Sequence, residues 1–287
     1  METELIFFWF ATIFYGVSAF FYILNFISKK EKFIHSATIL AWLGFLIQML
    51  SLAWYWLEGG LGLSIYSHTA TSRITGTTLM GVLVFLLVQL FTKSIRPAGI
   101  LIMPINFLLL FWAGISSIEI GAIPEVLVTF WFWVHVISGG FAYSFVLLAS
   151  AVALLYLLKE HEVSLIQSPT PQSPETKSTQ SPELEVLDNL NYRFIVLGFI
   201  MLTIMIISGS LWANQVHGRY WGWDPIEVQS LVSWLIYAIW LHLRLTFGWR
   251  GHKLAWYSLL SLIIIGTNMT GVPFIEKAFH SGFRIQH

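Results

Sequence analysis

Residues 126–158 read VLVTFWFWVHVISGGFAYSFVLLASAVALLYLL, a run without a single Asp, Glu, Lys or Arg. As one helix rising about 1.5 Å per residue it reaches about 50 Å, against a bilayer hydrocarbon core of about 30 Å. That run alone makes the bilayer the solvent. Composition agrees, with 56% hydrophobic and 10% charged residues in 287 and a mean hydropathy of +0.73, outside the range of soluble domains. The formal net charge of +0 offers no electrostatic case for a nucleic-acid partner.

Eight runs are long and apolar enough to cross: 5–27, 33–57, 74–92, 97–118, 126–158, 194–216, 226–246 and 254–275. The first is too long for a signal-peptide core and follows Glu2 and Glu4, not a basic stretch, so it reads as a membrane span. Of the 15 Lys and Arg, all but Arg73, Arg219, Lys277 and Arg284 fall in segments 28–32, 93–96, 159–193 and 244–253. Those segments therefore face the cytoplasm. The expectation is an all-α polytopic membrane protein of about eight transmembrane helices, with both termini on the outer (periplasmic) side.

The chain divides accordingly. Residues 1–57 form the first two helices, and 58–160 the next three, carrying an external His135. Residues 161–193 read as a cytoplasmic linker, because SPTPQSPETKSTQSPE (168–183) has too few apolar residues to bury a core. Residues 194–287 supply three more helices, an external loop at 212–224, and His280.

That loop reads WANQVHGRYWGWD and runs into Pro225, Ile226 and Glu227. Asp224, Pro225 and Glu227 have the order of an N-cap, N1 and N3, which starts the seventh helix without any ligand. The aromatics need another explanation. An interfacial belt in contact with membrane lipids is one. A site for a flat apolar ligand is the other, since Trp212, Tyr220, Trp221 and Trp223 crowd beside Gly218 and Gly222.

The chain has no cysteine, so it has no disulfide, thiolate metal site or thiol nucleophile of its own. Histidine remains as the nitrogen ligand. If the fifth helix is fixed at its inner end near Lys159, His135 projects about one turn beyond the outer surface. His280 follows the eighth span on the same side. Each alone reads as a surface histidine. As a pair bracketing an aromatic platform they suit the two axial positions of a haem iron. His242 lies about 26 Å down the seventh span, near the inner leaflet. There it is either a functional intramembrane histidine or an interfacial one beside Arg244.

The stretch WANQVHGRYWGWDPIE resembles the signature of the tryptophan-rich, haem-handling membrane proteins of cytochrome c assembly. Its best fit is the CcsA/ResC family of the system II haem lyase. The resemblance runs from the third span to the eighth and includes WVHVISGGFAY (133–143), YAIWLHLRLTFGWRGHKLAW (237–256) and FHSGF (279–283). By position, it implies that His135 and His280 are the external haem-ligating pair and that His242 is a transmembrane histidine receiving haem on its way out. It further implies that Trp212, Asn214, Gly218, Tyr220, Trp221, Trp223 and Asp224 form the platform. Two positions depart from the family: His217 stands where a tryptophan is usual, and Gln215 where a glutamate is frequent. His217 is then either a third external ligand or a replacement ring.

The resemblance implies a cytochrome c synthase subunit in the bacterial cytoplasmic membrane, with haem b as substrate and its working face outside. It also implies a CcsB/ResB-type membrane partner, apocytochrome c bearing Cys-x-x-Cys-His, and thiol-reducing thioredoxin-like proteins. Two rival readings are a haem carrier without ligation chemistry and a structural membrane subunit whose aromatics only anchor it.

Overall fold

In lipid, every backbone N–H and C=O must find its partner within the protein, which leaves an apolar run little choice but a helix. The computed structural model describes residues 2–59, 70–115, 129–166 and 182–270, and over these it contains helices and no strand. The helices are α1 (Glu2–Ser28), α2 (Glu31–Gly59), α3 (Ala70–Phe91), α4 (Gly99–Ile115), α5 (Phe130–Ile166), α6 (Pro182–His217), α7 (Pro225–Leu245) and α8 (His252–Thr270). A 3-10 turn at Lys93–Ala98 leads into α4. Among the described residues seven helices are long and apolar enough to cross a membrane. The eighth expected span appears as α8, whose 19 residues begin with His252 and Lys253 and fall outside that set.

Short connections set which helices are neighbours. Only Lys29 and Lys30 separate α1 from α2, and Lys29 takes the left-handed backbone conformation (φ +54°) that reverses the chain. The antiparallel pair is then joined by polar groups that lipid cannot satisfy. Tyr15 donates to Gln48 Oε1 at 2.7 Å, and Gln48 Nε2 reaches Thr75 O at 3.1 Å, tying α1 and α2 to α3.

The longest pair, α5 and α6, forms the spine of the bundle, with α3 and α8 against α5 and with α7 against α6 and α8. Both spine helices extend into the 161–193 segment expected as a linker. α5 continues to Ile166 and α6 starts at Pro182. Proline suits a first helical position, and Glu183 and Glu185 sit favourably at the N-terminal end of the helix dipole. Leu184 and Leu187 are buried, so this first turn also has something to pack. The α7 span is the least embedded, with 17% of its apolar window buried.

Candidate functional site

The N-terminal ends of α5 and α7 and the C-terminal end of α6 border a cavity of about 250 Å³. α5 contributes Phe132, His135, Gly139, Gly140 and Tyr143; α6 contributes Met205, Gly209, Trp212 and His217; the loop supplies Arg219, Tyr220, Trp221 and Asp224. Thus His135, remote in sequence from the tryptophan loop, shares one chamber with it.

The surroundings of His135 fix its chemistry. Its Nδ1 lies 2.8 Å from the backbone carbonyl of Met205. A carbonyl only accepts, so Nδ1 carries the proton and the neutral ring has its lone pair on Nε2. Metal-binding histidines are commonly held in this way. The ring is half-buried and stacks near Trp212, with centroids 6.5 Å apart and planes at 19°. Trp212, itself buried, packs in turn on Phe132 at 5.4 Å. The backing works only because position 209 is glycine, where a Cβ would lie 2.7 Å from His135 Nδ1.

The loop is built by its own carboxylates. Asp224 Oδ1 accepts from Ile226 N and Glu227 N, each at 2.9 Å, and the Glu227 carboxylate accepts from Gly222 N at 2.6 Å and Asp224 N at 3.4 Å. This is a complete capping box on α7, with Glu227 extending its grip into the loop. Gly218 takes φ +70° as α6 ends. Arg219 folds its guanidinium over Gly222, where a Cβ would have to displace it. At the base, Thr129 Oγ1 donates to Gln215 Oε1 at 2.8 Å, pinning α6 to the start of α5.

The named loop residues do not all face the cavity. Trp212, His217, Tyr220, Trp221 and Asp224 line it, whereas Asn214, Gly218 and Trp223 are not among its walls. Trp223 is 72% exposed and meets Trp221 edge-on at 5.8 Å. Its backbone has φ +56°, a conformation costing of order 1–3 kcal/mol for a bulky residue. Trp221 Nε1 is buried with no hydrogen-bond acceptor among the described residues. His280 lies outside the described residues.

His242 sits at the other end of α7, exposed, with Nδ1 3.2 Å from Thr246 Oγ1 and its ring edge-on to Phe247 at 5.4 Å. The buried group there is its neighbour Arg244, ion-paired with Asp188 at 2.7 Å. Sequence reasoning missed Asp188, Gly209 and the second role of Glu227. Nothing in their spacing marks them, because each acts on a residue brought near only by helix packing.

Fold and site together define a multi-pass helical membrane protein with an imidazole and an aromatic loop around one chamber. A family profile described as cytochrome C assembly protein matches residues 51–280, and the chain belongs to that family. Within it the likeness is to the CcsA type. A cytochrome c biogenesis protein CcsA from Guillardia theta is 38% identical over 162 residues, covering 53% of each chain. One from Nostoc sp. is 45% identical over 116 residues, covering 40% of this chain and 33% of its own. The matches thus span between a third and about half of these relatives' length. The solved structure of a cytochrome c haem lyase, CcmF, shares the fold, with TM-score 0.62 at 16% identity over 97% of this chain and 49% of its own.

Proposed function

We propose that this chain is the haem-handling subunit of a cytochrome c synthase in a bacterial cytoplasmic membrane. In this reading haem b enters from the cytoplasmic side near His242 and passes to the outer chamber. There it is held between His135 and His280, with the loop aromatics against the macrocycle. The observation that carries the reading is the His135 ring, whose Nδ1 proton is committed to the Met205 carbonyl, so that its lone pair is on Nε2. Iron already held by four porphyrin nitrogens asks the protein for only one imidazole per face. The acceptor that Trp221 Nε1 lacks is of the kind a haem propionate supplies, and Arg219 in the same wall would pair with such a carboxylate.

The reaction is an addition. Each thiol of an apocytochrome Cys-x-x-Cys-His adds across one haem vinyl, forming a carbon–sulfur bond at one vinyl carbon while hydrogen goes to the other. Nothing leaves and no net oxidation occurs. The peptide histidine replaces one enzyme imidazole on the iron. The chain's contribution is placement: two vinyls fixed against two thiols turn an encounter into an oriented reaction. A chain without cysteine has no thiol of its own to be alkylated by the vinyls it presents. A CcsB/ResB-type partner completes the synthase, with thioredoxin-like proteins keeping the substrate thiols reduced.

The test is co-expression of the full chain and its partner with an apocytochrome, scoring covalent haem in the product and a b-type visible spectrum in the purified complex. The reading expects both, with each reduced by His135→Ala. Haem in the complex without thioether product would point to a carrier. A stable, colourless complex would leave only a membrane scaffold.

A further inference from the structure

At the end of α7 away from the tryptophan loop, one carboxylate organises three helical elements. Arg244 Nη1 donates to both oxygens of Asp188, at 2.8 and 2.7 Å, and Gly251 N donates to Asp188 Oδ1 at 2.8 Å. Asp188 belongs to α6, Arg244 to the last turn of α7, and Gly251 to the turn entering α8. Gly251 can aim its amide there because it takes φ +60°. The guanidinium lies 5.2 Å from the ring centre of Tyr192, which stacks on Trp240 at 6.4 Å with planes at 14°.

Both charged side chains are buried, at 5% and 6% exposure. Burying such a pair costs desolvation, and well-packed apolar residues of similar volume often stabilise as well. What the ion pair adds is direction: the guanidinium must meet the carboxylate in one place. Higher up, the face of α7 is set by Trp240 donating to Ser258 at 3.0 Å and Tyr237 meeting Ser261 at 3.1 Å; Arg244 carries the same buried stripe into the last turn. His242 stands two residues before Arg244, roughly 200° around the helix. Drawing Arg244 inward onto α6 therefore turns His242 outward, where it is found exposed.

We propose that Asp188 is a positioning residue for an inner haem site. By gripping Arg244 and Gly251 it fixes the rotation and depth of the last turn of α7, and hence the place where His242 meets haem. The proposal rests on the reading of His242 as a haem ligand, and its test separates the two.

The full chain is purified with its membrane partner, and haem per polypeptide and the visible spectrum are recorded. In a His135→Ala/His280→Ala background the remaining b-type signal reports the inner site. Adding His242→Ala there tests the underlying reading: a signal that survives it rejects His242 as ligand and the proposal with it. If the signal goes, two further variants address Asp188 itself. Arg244→Lys keeps a cation opposite the carboxylate but loses the planar stack on Tyr192. Asp188→Asn keeps the shape and removes the anion. Each is expected to lower the inner signal roughly tenfold or more, as when a group orienting a metal ligand is lost, with Asp188→Glu recovering part of it. The outer signal, read in a His242→Ala background after haem is added directly to the purified complex so that loading bypasses the inner site, should keep its strength in both. An inner signal undiminished in both variants overturns the proposal. So does loss of inner and outer signals together, which would reduce the pair to a fold element.

Discussion

The two ends of α7 treat histidine in opposite ways. At the N-terminal end His135 reaches the chamber from α5 and is held by three features of this chain: a carbonyl on Nδ1, an indole behind the ring, a glycine making room. At the C-terminal end His242 is exposed, its ring meeting Thr246 and Phe247 of its own segment, while the buried ion pair belongs to Arg244. One imidazole is preorganised by its own polypeptide. The other is presented at the surface. Preorganisation of this kind is what lowers the cost of binding, so the two ends should respond differently to the same kind of damage.

The largest effect expected is from His135→Ala, which should cut the outer b-type signal by roughly tenfold or more, the range seen when support of a metal ligand is removed. With haem added directly to the purified complex, so that loading does not depend on passage past His242, His242→Ala should leave that outer signal in place. Equal loss of it in both would erase the distinction. Next comes Gly209→Ala, a single methyl that must displace the His135 ring. An overpacking cost of about 1–3 kcal/mol is expected, read as a lower midpoint in thermal unfolding and a shifted outer spectrum. An unaltered spectrum would mean the ring is not confined as described.

Smaller still is Asp224→Ala, which removes the cap from α7. It should cost about 1 kcal/mol and loosen the loop, seen as faster proteolysis between Gly218 and Pro225. The smallest effect belongs to Trp223→Gly. Glycine accepts a left-handed backbone without strain, and Trp223 forms no part of the chamber wall. Stability should stay level or rise by about 1 kcal/mol, and haem content should hold. A fall in haem content would place that indole in the site despite its outward position.

Much of this frame could be read before any coordinates. Hydropathy located each helix because lipid leaves apolar runs one solution. Asp224, Pro225 and Glu227 announced their capping box because a cap is a local event spanning four residues. His135 stood out as the single histidine of a long uncharged run, and the structure places it on the chamber wall. The facts that escaped are non-local. Asp188 sits in what composition marked as linker, and it becomes important only when α7 lays Arg244 against it. The outward turn of Trp223 depends on a backbone angle that no residue count encodes. The helical start at Pro182 was obscured because proline breaks a helix interior yet suits its first turn.

The acceptor that orients His135 is a peptide oxygen, the one belonging to residue 205. No codon change at that position can delete it, since every amino acid brings the same C=O. Methionine there may vary in size or polarity and the imidazole proton keeps its place. Only a shift of the two long helices along one another would release it, so the protonation pattern of this ring is inherited from the main chain and is shielded from ordinary point mutation at its partner.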